Sequence, residues 1–376
     1  MAQLGVGLIG CGNISTAYLR LAPMFAGFEM RAVADLNPKA AQVQADAFGL
    51  RAETVDDLLA ADDIDVVVNL TIPAAHFEVT RAILEAGKHA YGEKPLVLSL
   101  EEGEVLRALA EAKGLRVGAA PDTFLGGVHQ QARAVVDGGE IGQVISGTAH
   151  VMNRGMEAWH PNPDFFFQPG AGPVLDLGPY YIANLVQLLG PVASVAASGA
   201  TGFETRTIGS GARVGEAIPV TTPTTLHALL TFDAGAVITL SASWDVTAHR
   251  HGHMELYGTK GTLFLPDPNF FGGALELGTE DGIAPLAAWD HPFGRPNEEQ
   301  DSPRANYRTA GLAEMVAALR EYRPHRCALD FAVHCVEVMT SILRAAESGE
   351  RVDLKTRCVR PAPLGPDAAA ALLREG

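Results

Sequence analysis

The opening of the chain sets a firm condition on the fold. Leu4–Ile9 is a short apolar run, and it stops at Gly10-Cys11-Gly12-Asn13-Ile14-Ser15, after which Ile14–Ala26 has helix composition. A strand that ends in a glycine turn and feeds a helix begins a β-α-β unit. Gly10 permits the tight turn, Gly12 lets backbone approach a pyrophosphate, and Ser15 stands where a third glycine would allow close helix–strand packing. Phosphates at such a turn meet the free N–H groups of the following helix, so Asn13 and Ile14 join the glycines as cofactor-binding residues. Asp35 closes the next β-like run, Glu29–Ala34, 23 residues beyond Gly12. A carboxylate there reaches the adenosine ribose hydroxyls and repels a 2′-phosphate. The spacing therefore predicts a dinucleotide site that favours NAD, and nearby Lys39 leaves NADP open.

The strand–helix pattern repeats. Pro38–Phe48 reads as helix, Ile64–Leu70 as a buried parallel strand, Ala74–Ala86 as a helix stopped by Gly87, and His89–Gly92, Leu100–Lys113 and Leu115–Ala119 as strand, helix and strand. This is an α/β Rossmann pattern, a doubly wound parallel sheet, over residues 1–121. Beyond Pro121 the order changes. A helix near Gly126–Asp137 leads into strands at Val144–Met152, Val192–Ala197, Thr225–Phe232, Ala236–Trp244, His253–Tyr257 and Thr262–Leu265. Helices fall at Tyr180–Leu189, Ala310–Leu319 and Phe331–Ser348, and Pro266–Asn306 reads as long loops. Residues 122–376 are expected to form an α+β domain with an open-faced, largely antiparallel sheet, its C-terminal tail packing back on the first domain.

Net charge is -16 over 376 residues, which argues against binding nucleic acid or an anionic membrane. The cysteines, Cys11, Cys327, Cys335 and Cys358, show no paired spacing, and a reduced cytoplasmic compartment is the simplest reading. The N-terminal run lacks a basic region and reads as a strand, not a signal peptide.

Glu93-Lys94-Pro95 follows the His89–Gly92 strand, and Asp176 and Tyr180 lie four apart in Gly172-Pro-Val-Leu-Asp-Leu-Gly-Pro-Tyr-Tyr181. With the glycine turn, Thr71-Ile-Pro-Ala-Ala-His76 and Ala86-Gly-Lys-His89, these residues resemble the Gfo/Idh/MocA oxidoreductases across most of the chain. That resemblance implies a Rossmann domain followed by an open-sheet domain, a nicotinamide cofactor, and oxidation or reduction of a sugar, polyol or related hydroxyl compound. It implies that Lys94 is catalytic, that a cis peptide precedes Pro95, and that Asp176 and Gly178 belong to a D-x-G-x-H-x-x-D motif. The chain departs from this motif at Tyr180, in place of histidine, and at Ala183, in place of the last aspartate. It also implies that Thr71, Pro73 and His76 lie along the cofactor, beside Glu93 and Lys94; capping and packing explain His76 equally well. Relatives that keep their nicotinamide bound, that cleave glycosidic bonds through transient oxidation, or that bind dinucleotide only as a signal are alternatives.

The chemistry stands independently of the resemblance. Asp176 and Tyr180 share one face of a helical turn, which Asn184 and Gln187 continue, and Asp176 could cap that turn. A free phenol titrates near ~10, so service at neutral pH needs a shift of about 3 units, or ~4 kcal/mol. An ammonium ~4 Å away at an effective dielectric of ~20 supplies about that. Lys94 and Tyr180 are thus a candidate acid/base pair, with Asp176 orienting Lys94 or substrate.

Trp159 and His160, in an aromatic loop running to Phe167, suit a sugar ring or an apolar plug; Asp122 is a further substrate-site candidate. His249, His251 and His253 alternate as if on one strand face, but no carboxylate or thiol completes a metal set, and no metal is expected. A broad exposed sheet face predicts a homodimer or homotetramer.

Overall fold

The structure is a computed structural model that describes residues 3–160, 162–297 and 304–374. Met1 and Ala2 of the first run, Pro161 of the aromatic loop and residues 298–303 of the expected long loops lie outside the described residues.

The first domain runs β1 (Leu4–Ile9), α1 (Asn13–Leu21), β2 (Phe28–Ala34), α2 (Pro38–Phe48), β3 (Arg51–Glu53), α3 (Val55–Ala60), β4 (Val66–Asn69), α4 (His76–Glu85), β5 (His89–Gly92), α5 (Leu100–Lys113) and β6 (Val117–Ala119). Its six strands are parallel in the order β3-β2-β1-β4-β5-β6. The order reverses between β1 and β4, which opens a crevice at the carboxyl ends of the strands. Val66, Val67 and Val68 have no exposed surface because helices cover both faces. Each such valine stabilises the sheet by on the order of 1.5–3 kcal/mol. Side chains cap α2, α3 and α5 through Asn37, Thr54 and Ser99, whereas α1 starts at Gly12 with no side-chain cap. Its first N–H groups are left for a ligand.

The second domain contains α6 (Gly127–Asp137), β7 (Val144–Met152), α7 (Pro173–Asp176), α8 (Gly178–Leu189), β8 (Val192–Ala200), β9 (Thr205–Thr207), β10 (Ala217–Pro219), β11 (Thr225–Phe232), β12 (Val237–Ser243), β13 (Met254–Gly258), β14 (Thr262–Leu265), β15 (Glu276–Thr279), β16 (Gly282–Pro285), α9 (Ala310–Arg320), α10 (Leu329–Ser348), β17 (Val352–Asp353) and α11 (Pro366–Ala370). Nine strands form a sheet in the order β16-β15-β14-β13-β7-β12-β11-β8-β17, antiparallel apart from the β7–β12 pair. Alternate residues such as Leu226, Ala228, Leu230 and Phe232 face a core shared with α8 and α10, while Leu229 and His227 point away from it and are exposed. β9 and β10 form a separate hairpin packed on a small cluster of Met156, Phe167, Ile208, Ile218 and Trp244.

Two returns tie the second domain to the first. Cys327 O accepts from Ala119 N at 3.0 Å along the edge of β6, and Gly118 bridges to Ala328. At the C-terminus, Ala26 N donates to Leu372 O at 2.8 Å, and Arg374 Nε donates to Phe25 O at 2.8 Å.

The expected long loop Pro266–Asn306 is interrupted: β15 and β16 form a hairpin and Pro292–Gly294 a 3-10 turn. Its glycine and acid content reflects tight turns at a sheet edge, where exposed polar residues suit short strands. Among the described residues, no helix is long and apolar enough to cross a membrane.

Candidate active site

The β1–α1 turn has the geometry a dinucleotide needs. Gly10 has φ +102°, and a Cβ there would stand 2.6 Å from the carbonyl of Leu70. A Cβ on Gly12 would meet no atom within 4 Å, so that side of the turn opens onto free space beside the uncapped N-terminus of α1. Ser15 is fully buried and donates its hydroxyl to Gly12 O at 2.6 Å, fastening the turn from below. Asp35 stands at the end of β2, half-buried, and accepts from Cys11 N at 2.7 Å and Asn37 N at 2.8 Å. The acid therefore also locks the glycine turn. Burial and Asp35 push the Cys11 thiol up to about 11, so it is a packing group and not a nucleophile. Leu36 and Ile72, next to Asp35 and Thr71 in the chain, are exposed apolar side chains.

Beyond β4, fully buried Asn69 organises the next loop. Its Oδ1 accepts from Thr71 N and Oγ1, and its Nδ2 donates to His76 O and Thr80 Oγ1. Thr71 and Pro73, past the end of β4, are half-buried. His76 is enclosed. It is 2% exposed, with Nδ1 2.6 Å from Pro95 O and Nε2 2.9 Å from Thr71 O. Both ring nitrogens lie against backbone carbonyls, so His76 bridges the β4 loop to the Glu93-Lys94-Pro95 turn.

That turn follows β5, and its Lys94–Pro95 peptide is cis. Glu93 accepts from Tyr18 Oη at 2.9 Å and from Lys94 N at 3.0 Å. The Lys94 ammonium donates to Asp176 O at 2.7 Å and Asp176 Oδ1 at 2.9 Å, and lies 5.3 Å from the centre of the Tyr180 ring. Burial opposes its charge, but Asp176, the Tyr180 phenol and Glu93 outweigh burial and hold the pKa above the ordinary lysine value. Lys94 is therefore a fixed cation.

Asp176 and Tyr180 reach Lys94 from a break between two helices. Asp176 ends α7 and Leu177 interrupts, so α8 starts afresh with Pro179 in its first turn. Asp176 is thus not a cap for α8; the break turns its carboxylate toward Lys94. The expected polar face past Tyr180 is buried behind the site. Asn184 Nδ2 bonds His129 Nδ1 at 3.1 Å, and Gln187 Nε2 donates to Asn184 Oδ1 at 2.9 Å, both against α6.

Asp122 is bound to the backbone of the second domain. It is 1% exposed, and its Oδ2 accepts from Thr309 N at 3.1 Å and Gly311 N at 2.9 Å, at the start of α9. Burial pushes its carboxyl up to about 6. Trp159 is 62% exposed and stands edge-on to His160, which also meets Phe165 and Phe166. Among the described residues, neither Trp159 nor His160 makes a hydrogen bond or ring contact with Lys94, Asp176 or Tyr180. Phe166 and Phe167 stack edge-on against Trp244, and Leu177, next to Asp176, packs on the same cluster. The loop is therefore attached to the α7–α8 break.

The histidines are not one strand face. His249 and His251 lie outside the strands, and His251 stacks on His150 with ring centres 4.1 Å apart. His253 instead meets Tyr181 Oη at 3.0 Å. Arg308 escaped sequence reading altogether. Its guanidinium is held by Asn269 and Asn306, and although burial opposes its charge, Tyr180, Asp122 and Glu93 keep its pKa above the ordinary arginine value. It sits in no motif, and only the folded chain brings it to the site.

A glycine turn with an open face, an acid at the end of the second strand and a lysine–carboxylate pair at the end of the fifth define a Rossmann oxidoreductase site. Residues 4–120 match the family described as "Oxidoreductase family, NAD-binding Rossmann fold", and residues 129–264 match the "GFO/IDH/MocA C-terminal domain". The chain belongs to the Gfo/Idh/MocA oxidoreductase family and carries an NAD-binding Rossmann domain. An uncharacterized oxidoreductase of Schizosaccharomyces pombe is 33% identical over 147 residues, 38% of this chain and 39% of that protein, so the match spans about two-fifths of that relative. Levoglucosan dehydrogenase of Pseudarthrobacter phenanthrenivorans is 29% identical over 295 residues, 70% of this chain and 73% of the enzyme. A solved levoglucosan dehydrogenase in complex with NADH and levoglucosan superposes with TM-score 0.78 at 22% identity, covering 94% of this chain and 100% of that one. An NAD binding oxidoreductase from Klebsiella pneumoniae superposes with TM-score 0.79 at 22% identity, covering 94% and 99%. Sugar dehydrogenases are thus among the relatives.

Proposed function

We propose that the protein is an NAD-dependent dehydrogenase acting between a secondary hydroxyl and the carbonyl of a sugar, polyol or related compound. The observation that carries this reading is the convergence of Lys94, Asp176 and Tyr180 at the carboxyl end of β5, in the same parallel sheet whose β1 ends at the open glycine turn. Two Lys94 N–H groups go to Asp176, which leaves the third for a substrate oxygen. As the alcohol is oxidised, its carbon gives up a hydride and its oxygen a proton. A nicotinamide bound at the turn would supply the hydride acceptor. Tyr180, acting as the phenolate, takes the proton and becomes the phenol, Lys94 stabilises the developing alkoxide, and Asp176 holds Lys94 in place.

Gly10, Gly12, Asn13 and Ile14 would hold the pyrophosphate, Asp35 the adenosine ribose, and Thr71, Pro73 and the Glu93–Lys94 turn the nicotinamide end. The carboxylate of Asp35 favours NAD over NADP. The exposed aromatic edge at Trp159 and His160 offers a stacking surface for a sugar ring. Carbohydrate as the substrate class is supported by levoglucosan dehydrogenase among the relatives. The outer face of β7, β12, β11 and β8, with Leu229 and Val237 exposed, suits a homodimer or homotetramer contact. Four buried, unpaired cysteines suit the cytoplasm.

The test is a turnover screen of sugars, inositols and sugar lactones with NAD and NADP, read at the NADH absorbance. Reduction of NAD by at least one polyhydroxy substrate is expected. NADH binding without turnover on any of them would refute the reading.

A further inference from the structure

Between β8 and β11 the chain leaves the main sheet to form the β9–β10 hairpin, and this hairpin grips the loop that carries Trp159 and His160. Gly209 N donates to Glu157 O at 2.8 Å, ahead of the two aromatic residues, and Thr221 N donates to Phe167 O at 2.9 Å, behind them. Arg213 donates to both oxygens of Asp164, at 2.6 and 3.0 Å. The backbones also touch: a Cβ on Gly209 would stand 3.0 Å from Ala158 Cα.

Arg206, in the middle of β9, joins these parts to the main sheet. Its Nη1 donates to Glu157 Oε1 at 2.8 Å, its Nη2 donates to Trp244 O at 3.0 Å, and it pairs with Asp245. Asp245 lies just past β12 and accepts from the hydroxyls of Thr224 and Thr225, at 2.7 and 2.6 Å.

We propose that the β9–β10 hairpin is a clamp that sets substrate fit, with Arg206 as its positioning residue: Arg206 fixes the aromatic loop so that Trp159 and His160 meet the sugar ring as a preformed surface. This rests on the reading of those two residues as a sugar-stacking edge.

Three observations support it. The first is reach. A planar guanidinium can hold two carboxylates and a carbonyl at once, whereas an ammonium on a flexible stem is a point charge. The second is the character of the ion group. The side chains of Arg206, Glu157 and Asp245 are 10%, 11% and 15% exposed, and Glu157 Oε2 and Arg206 Nε have no hydrogen-bond partner among the described residues. A buried ion group left partly unsatisfied is a poor source of stability. What it does supply is a fixed place for the segments it joins. The third is location. Phe166 and Phe167 stand edge-on to Trp244, Arg206 lies 5.7 Å from the centre of the Phe167 ring, and Leu177 packs on the same cluster. The clamped loop is thus seated beside Asp176, which holds Lys94.

A loop ordered in advance keeps its ordering cost out of the binding step. Loosening it weakens substrate binding and leaves proton transfer alone, because Lys94, Asp176 and Tyr180 are carried by the β5 turn, α7 and α8.

The test compares wild type, Arg206→Lys, Trp159→Ala, a clamp variant with Arg206→Met and Glu157→Gln together, and that variant with Trp159→Ala added. In the clamp variant no charge is stranded on the loop, and Asp245 keeps its threonine hydroxyls. The probes are D-glucose, myo-inositol and levoglucosan with NAD, read as separate kcat and KM, together with hydrogen exchange by mass spectrometry, thermal melting and NADH fluorescence. The clamp variant should raise substrate KM by about tenfold, with kcat and NADH affinity near wild type. Arg206→Lys should fall between. Trp159→Ala should also raise KM, and adding it to the clamp variant should cost little more, since both changes act on one surface. Amides from 157 to 167 should exchange faster in the clamp variant, while those of α8 keep their protection. A clamp variant with wild-type KM, an effect that adds in full to that of Trp159→Ala, or unchanged exchange at 157–167 overturns the role of Arg206. Trp159→Ala with wild-type KM overturns the stacking reading instead, and wild type that turns over none of the probes counts against the dehydrogenase reading; in both cases exchange at 157–167 still decides the clamp. Should the clamp variant melt early, Arg213→Ala, which frees Asp164 at a half-exposed position, must raise KM in its place, and failure to do so counts against the proposal.

Discussion

The ammonium of Lys94 and the carboxylate of Asp176 meet across 82 residues of sequence, at 2.9 Å, and the same ammonium takes the Asp176 backbone oxygen at 2.7 Å. One residue lies in the turn after β5 of the first domain; the other ends a short helix of the second. The pair therefore joins the two halves at the point where chemistry is proposed, and truncating either partner leaves a mostly buried charge without its counterpart.

Lys94→Ala should lower kcat by about 10²–10⁴-fold while NADH still binds, since an acid/base or charge-stabilising group is worth that much. Asp176→Asn should lose less, because the backbone oxygen remains as one acceptor. Steady-state rates with an NADH titration separate the two effects.

The two glycines of the turn should fail differently. Gly10→Ala places a Cβ against Leu70 at a φ of +102° and should destabilise the fold by about 1–3 kcal/mol. Gly12→Ala points into open space and should melt like wild type while losing at least tenfold in NADH affinity. Calorimetry and fluorescence titration distinguish these outcomes.

Asp35→Ser should raise the ratio of kcat/KM for NADP to that for NAD by at least tenfold, as repulsion of the 2′-phosphate is removed. Some loss with both cofactors should accompany it, because Asp35 also accepts from Cys11 N.

Burial lowers the pKa of His129 and His334 from 6.5 to about 4. In an unfolded chain both take up protons near 6.5, so acid favours the unfolded state. Their contribution is complete above pH 6.5 and is lost as the pH falls through 4, at about 3 kcal/mol each. Denaturant melts at stepped pH should show the loss over that window, and His334→Gln should flatten the slope.

Leu229→Glu with Val237→Glu should halve the mass seen by light scattering without lowering the melting temperature greatly. A wild-type protein that is already monomeric would refute the sheet-face contact.

Local chemistry made much of this fold readable. Gly10, Gly12 and Asp35 mark the first crossover because each answers a backbone or charge requirement within about two dozen residues. Val66–Val68 announces a strand buried on both faces. What stayed hidden depends on distant chain. His76, read from the sequence as a helix-opening residue along the cofactor or a packing group, has its ring against two carbonyls, those of Thr71 and Pro95. Asp122 looked like a free carboxylate after the last strand, but the amides of Thr309 and Gly311 lie almost two hundred residues on. Arg308 has no spacing rule to announce it. Asn184 and Gln187 follow the helical period of Tyr180 on the same helix, but nothing in that period announces that α6 packs there and binds them through His129.

The hydrogen bond from Ala119 to Cys327 has a further consequence. β6 is the outer strand of the parallel sheet, and its free edge is occupied by chain that arrives more than two hundred residues later. A protein cut after Pro121 would carry a raw sheet margin prone to sticking to its neighbours. The nucleotide-binding half is therefore not a detachable cassette. It is completed only after nearly all of the chain has been synthesised, so a nascent chain stalled midway would hold a recognisable cofactor motif on an unfinished sheet.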